Sequence, residues 1–93
     1  MSTHQMTVHL IIVGKVQGVY FRASAKEKAD DLGINGWVKN TREGNVEILA
    51  GGNEEKIMEF IQWCHQGPRG AFVQKVIVQE VEEWDSDGFS VVR

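Results

Sequence analysis

An α+β fold, with two helices on one face of an antiparallel sheet, is predicted by three observations on this sequence. The run Val8-His9-Leu10-Ile11-Ile12-Val13 alternates as a strand does. Residues Ile57, Phe60, Ile61 and Cys64 repeat at i, i+3, i+4 and i+7, the spacing of a helix with one buried stripe. Glycine, proline and asparagine breaks cut the chain into strand, helix, strand, strand, helix, strand and a short final strand.

Each element has its own local cause. The first strand covers about Met6 to Val13. A helix follows over Arg22 to Leu32, with Phe21, Ala25, Ala29 and Leu32 spaced for one buried face. Gly33 supplies its stop and Asn35-Gly36 a turn. The second strand runs through Trp37 to about Thr41, and Arg42-Glu43-Gly44-Asn45 is turn chemistry. The third strand, Val46 to about Ala50, closes on Gly51-Gly52. Asn53 is placed to cap the second helix, and Glu54 and Glu55 complement the positive end of its dipole. Gly67 and Pro68, the sole proline, end that helix. A strand lies within Val73 to Trp84, and Phe89 to Val92 forms the last. The order βαββαβ is that of a ferredoxin-like sandwich with a short extra C-terminal strand, a fold that hosts many functions.

Ninety-three residues form one domain, 1–93, with no internal repeat or linker. A hydrophobic content of 42% and a charged content of 25% are those of a water-soluble domain. Ten Lys and Arg against thirteen Asp and Glu leave a net charge of −3, which argues against nucleic acid as the partner. The charge is unevenly spread. Lys15, Arg22, Lys39 and Arg42 lie near the glycine-bearing segments, whereas Glu80, Glu82, Glu83, Asp85 and Asp87 crowd the C-terminal third. A locally positive mouth on an acidic protein suits a small anion. One cysteine excludes an internal disulfide and fits a reducing compartment. With no signal-peptide pattern at the start and no apolar stretch of membrane-spanning length, a cytoplasmic protein that does not engage membranes is expected.

The residues that carry chemistry are Gly14-Lys15-Val16-Gln17-Gly18-Val19-Tyr20-Phe21-Arg22. Between a strand and a helix, Gly14 and Gly18 allow successive N–H groups to turn toward one point. The helix start adds unpaired amides and a positive dipole end. Arg22 contributes a planar charged fork that matches phosphate oxygens. The predicted ligand is a phosphoryl group. Spacing alone leaves a second reading open, with the glycines as punctuation and Arg22 as a solvated surface residue.

Other leads fail on inspection. Cys64-His65-Gln66-Gly67-Pro68-Arg69 is one residue short of a cysteine-phosphatase loop, and Cys64 completes an apolar helical stripe. Asp85-Ser86-Asp87-Gly88 lacks the residues that would make it a calcium or aspartyl-phosphatase loop and reads as a turn. His4, His9 and His65 have no metal spacing. Trp37, Trp63 and Trp84 are read as packing residues.

The nine residues from Gly14 to Arg22 resemble the first acylphosphatase signature, G-x-V-Q-G-V-x-[FY]-R. Gly36-Trp37-Val38-Lys39-Asn40, with Gly44, Val46 and Gly52, resembles the second. Gly67-Pro68 with Ala71 and Val73, and the closing Gly88-Phe89-Ser90-Val91, are similar to the same family, so the likeness spans nearly the whole chain. Phe72 departs from it, standing where bacterial members often carry an arginine. The resemblance implies hydrolysis of a small-molecule acyl phosphate to a carboxylate and inorganic phosphate, with no metal and no cofactor. It makes Arg22 the phosphate-binding arginine and Asn40 the residue that positions the attacking water. The amides of Gln17, Gly18, Val19, Tyr20 and Phe21 wrap the phosphate oxygens. By residue type alone, Asn40 reads more readily as the opening of a turn. Strand alternation puts it on the face of Val38, at the strand's exit.

Two other classes compete with this enzyme. A catalytically idle phosphate-binding or regulatory module would need Arg22 and the amides but no water positioner, so Asn40 favours the enzyme. An RNA-recognition sheet lacks its cationic excess and aromatic-rich basic strand. A monomer is expected, with an edge strand left open to self-association.

Overall fold

The first strand, β1, spans Gln5–Lys15, and its alternation sends Val8, Leu10 and Ile12 into the core while His9, Ile11 and Val13 face the other way. Helix α1 covers Phe21–Leu32 and buries Phe21, Ala25 and Ala29. Gly33 stops it in the left-handed conformation, its N–H returning to the carbonyls of Ala29 and Asp30. Strands β2 (Asn35–Asn40) and β3 (Val46–Asn53) follow, then α2 (Glu54–Gln66), β4 (Phe72–Val81) and β5 (Phe89–Val92). The computed structural model describes residues 4–82 and 87–93; Glu83, Trp84, Asp85 and Ser86 lie outside them, so the strand end expected at Trp84 and the turn at Asp85-Ser86 do too.

The sheet order is β4-β1-β3-β2-β5. Strand β3 pairs antiparallel with both β1 and β2, and β4 pairs antiparallel with β1. The expected antiparallel sheet therefore holds for four strands. The fifth adds parallel to β2, making the sheet mixed. Because β1 and β2 both oppose β3, and β5 runs with β2, the C-terminal ends of β1, β2 and β5 emerge at one end of the sheet.

Both helices cover the same face. Val8, Leu10, Ile12, Val38, Val46, Ile48 and Ala50 of the sheet pack with Phe21, Ala25, Ala29, Ile57, Phe60 and Cys64 of the helices. Phe60 meets Phe89 edge-on at 6.0 Å between ring centres, and Phe21 meets Trp63 at 5.4 Å. Fully burying each such aromatic side chain contributes about 1.5–3 kcal/mol. Burial pushes the Cys64 thiol well above its ordinary range by desolvation, consistent with a core role for this residue. Trp37 departs from the packing reading. It sits half-exposed on the open face, with Lys39 5.3 Å above its ring.

Two expected turns are strand instead. Asn35 and Gly36 open β2, where Gly36 faces Ala50 and a Cβ would stand 1.8 Å from the Leu49 carbonyl oxygen. That glycine permits close strand approach, and Asn35 Oδ1 holds the Gly88 N–H at 3.0 Å. Gly51 and Gly52 likewise continue β3, because Thr7 and Met6 of β1 remain available to pair with them. Gly14 is also a strand residue. It sits at the irregularity where β1 shifts register against β4, and a Cβ there would fall 2.1 Å from the Phe72 carbonyl oxygen.

Candidate active site

The two helix starts are built differently. At α2, the Asn53 side chain accepts from the Glu55 N–H at 2.9 Å, and Glu54 and Glu55 lie in the first turn. That end is capped and electrostatically answered. At α1, residue Tyr20 takes the cap position with φ 62° and ψ 26°, contributes no side-chain hydrogen bond, and no acidic residue occupies the first turn. A positive helix end is thus left facing outward.

The loop leading to it is tightly made. Residues 17–20 form a bend, with Gly18 at φ 76° and Tyr20 the one described non-glycine residue at positive φ. A left-handed tyrosine is a strained choice, costing on the order of 1 kcal/mol or more, and such strain collects at ligand sites. The residue is 83% exposed, so packing does not impose the conformation. The loop is tied down from beneath instead. Gln17 Nε2 donates to the carbonyl oxygens of Thr41 and Asn45, both at 2.8 Å. Those two carbonyls belong to the turn between β2 and β3, which also closes through Thr41 N–H to Asn45 O at 3.0 Å. One side chain therefore couples the loop after β1 to the turn after β2.

Above this tie lies a cleft of about 530 Å³ lined by Val16, Gly18, Tyr20, Phe21, Arg22, Ala23, Asn40, Val91 and Arg93. Arg22, in the first turn of α1, is half-buried, and its Nη1 donates to the Val92 carbonyl oxygen at a long 3.4 Å. Asn40 ends β2 opposite Val46, on the same face as Val38. The cleft thus gathers Arg22, Asn40, Gly18, Tyr20 and Phe21 from the predicted set. Gln17 and Val19 do not line it. The Gln17 side chain serves the turn, and Val19 packs against the core.

Lys39 does not contribute to the positive mouth expected of it. It projects from the opposite face of the sheet, 3.8 Å from Glu47, whose other oxygen lies 2.7 Å from His9. Its neighbour Asn40 faces the cleft for the same reason, the alternation of a strand. Val91 and Arg93, by contrast, enter the site unforeseen. Only the pairing of β5 beside β2 brings them there, and no local pattern signals it. Among the described residues, no group of three or more His, Cys, Asp or Glu side chains gathers as a metal site would require, and no helix is long and apolar enough to cross a membrane.

Known proteins share both sequence and shape with this chain. The acylphosphatase family model matches residues 8–91. An acylphosphatase of Marinobacter nauticus is 49% identical over 73 residues, covering 78% of this chain and 79% of its own. One from Acidovorax is 46% identical over 88 residues, covering 95% and 91%. The solved structure of an acylphosphatase from Coxiella burnetii superposes with a TM-score of 0.92 at 40% identity, covering 95% of this chain and 93% of that one. A family match over most of the sequence, joined to the same ferredoxin-like arrangement of strands and helices, means that this chain belongs to the acylphosphatase family of hydrolases.

Proposed function

We propose that the chain, acting as a single-domain monomer in the cytoplasm, hydrolyses acyl phosphates by in-line attack of a water held by Asn40. The phosphoryl group under attack is gripped by Arg22 and by the amides from Gln17 to Phe21. The observation that carries this reading is that Arg22, Asn40 and the uncapped start of α1 line one cleft.

Each part answers a chemical demand. The leaving group is a carboxylate, whose acid has a pKa of about 4–5, so it departs without a general acid. Phosphoryl transfer then needs alignment of nucleophile and leaving group, and stabilisation of charge on the equatorial oxygens. The amides of the bend and the α1 dipole supply fixed positive charge that does not reorganise during the reaction. Arg22 adds charge-assisted hydrogen bonds. Asn40 does not titrate and is no base. Its amide accepts from and donates to water, which fixes the nucleophile on the β2 side. The acyl group then leaves on the side away from β2. The P–O bond to the acyl group breaks as the water oxygen bonds to phosphorus, and the water's proton passes to a phosphate oxygen, so the products are a carboxylate and inorganic phosphate. No step calls on a metal or a cofactor, and nucleic acid has no part in the reading.

The deciding experiment is incubation with benzoyl phosphate while following loss of the anhydride absorbance. Rapid, saturable hydrolysis inhibited competitively by inorganic phosphate is expected. Phosphate binding without turnover would instead indicate an idle binding module.

A further inference from the structure

Resting on that reading, we propose that the Tyr20 side chain is a specificity determinant that meets the acyl group and favours aromatic acyl phosphates over short aliphatic ones. Tyr20 lines the same cleft as Arg22 and Asn40. Its backbone and its ring have separate tasks. The amide belongs to the bend proposed to hold the phosphoryl group, and the carbonyl oxygen accepts from the Ser24 N–H at 3.0 Å as α1 begins. The ring takes part in neither.

For the fold, a tyrosine is a poor choice at this position. Tyr20 holds φ 62°, and two residues earlier Gly18 occupies the same left-handed region at φ 76° with no Cβ to strain. The tyrosine is 83% exposed, gives α1 no side-chain cap and lies outside the apolar core. Among the described residues, its phenol has no hydrogen-bond or ring partner. A ring that strains its own backbone and returns no packing has its use in something that docks against it from outside. At this cleft, that is the substrate.

In-line geometry selects which part of the substrate meets the ring. Asn40 and Val91 belong to the neighbouring strands β2 and β5, so the nucleophile enters from the strand wall of the cleft. The departing acyl group lies beyond phosphorus, toward the loop and the start of α1. There Tyr20 is the most exposed of the large hydrophobic residues lining the cleft. A neutral ring adds little to the hold of amides and Arg22 on a dianion. It offers an aryl group a stacked or edge-on contact that removes both surfaces from water. An acetyl group covers far less of the ring and gains correspondingly less.

The test compares full-length parent, Tyr20→Phe and Tyr20→Gly. For each, kcat/KM is measured on benzoyl phosphate and on acetyl phosphate, with the inhibition constant of inorganic phosphate and the melting temperature. In the Gly variant the benzoyl-to-acetyl ratio of kcat/KM should fall about five- to tenfold, chiefly through KM for benzoyl phosphate. Phe should keep the ratio within about twofold, because the ring face is retained. The readout is a ratio, so a general loss from a disturbed bend cancels. An unchanged ratio in the Gly variant overturns the proposal. So does an equal loss on both substrates and on phosphate, which would make Tyr20 a support for the bend. The Gly variant should melt no lower than the parent, since left-handed strain is relieved; a melting temperature several degrees lower would show that the ring serves the fold and would also overturn it. If the parent failed to hydrolyse acyl phosphates, calorimetric binding of benzoylphosphonate and acetylphosphonate by the same proteins would still decide the role of Tyr20. A benzoyl advantage lost only with Gly supports it, and no advantage in the parent overturns it.

Discussion

Gln17 reaches across 24 residues of sequence to place its side-chain N–H 2.8 Å from the carbonyl oxygen of Thr41. With the second bond to Asn45, the side chain braces the loop between β1 and α1 against the turn after β2, and only the backbone amide of Gln17 is left for the proposed phosphoryl contact. Replacing Gln17 with Ala should lower stability by about 1–2 kcal/mol and weaken inorganic phosphate several-fold, because the bend loses its anchor. Gln17→Glu should be worse than Ala, since a carboxylate would face two carbonyl oxygens. Denaturant melts and phosphate inhibition, measured side by side, would show it; a more stable Glu variant would contradict this role.

Arg22→Gln should abolish turnover and raise the inhibition constant of phosphate by a factor consistent with losing about 1.5–3 kcal/mol of charged hydrogen bonding. Stability should change little, since its hydrogen bond to the Val92 carbonyl is long and exposed. Near-normal phosphate inhibition in the folded variant would exclude Arg22 from the site.

Asn40→Ala separates binding from chemistry. Phosphate affinity should stay close to the parent's while kcat falls on the order of a hundredfold, the usual result of misplacing a nucleophile by about 1 Å. Asn40→Asp should not rescue the rate, because a carboxylate repels the incoming dianion. Retention of more than about half of parental turnover in the Ala variant, or loss of affinity and rate together, would remove the water-holding role.

Gly67 ends α2 with φ 70° and ψ −175°, and a Cβ there would lie 2.8 Å from Cε2 of Phe21 and 3.2 Å from the Ala71 Cβ. That backbone region is essentially closed to other residues. Gly67→Ala should therefore cost about 1–3 kcal/mol by strain and overpacking, read as a lower denaturant midpoint. It should also disturb phosphate binding, because Phe21 begins α1 beside the loop.

Cys64 supplies a prediction in pH. Its thiol ordinarily titrates near 9.0 and is held far above that by burial. Above that pH the unfolded chain has released a proton that the folded chain retains. Stability from this group is thus constant below pH 9 and falls above it, by up to about 1.4 kcal/mol per pH unit. Cys64→Ala should flatten that alkaline decline while costing about 1–2 kcal/mol in the core. Thiol reagents should label the native protein only as it unfolds.

Much of this molecule is written in local sequence. Period-two alternation in Val8 to Val13, the stripe Ile57-Phe60-Ile61-Cys64, the Asn53 cap and the Gly33 stop act over a few residues. They specify elements whatever the rest of the chain does. The two signatures also carried the family and the grouping of Arg22 with Asn40. What distance hides is pairing. Asn35-Gly36 and Gly51-Gly52 have turn chemistry but lie in strands, because partners more than ten residues away offer them a ladder and need the space a glycine leaves. The same holds at the site. Gln17 looked like a loop residue contributing an amide, and only the turn after β2 gives its side chain a purpose. Lys39 looked like part of a positive mouth until the face of β2 assigned it to Glu47. Val91 and Arg93 line the cleft with Asn40 because β5 pairs parallel with β2. Register is decided by contacts between distant segments, which become favourable only once the core has closed, and so tertiary structure rather than local pattern determines which charges face the cleft.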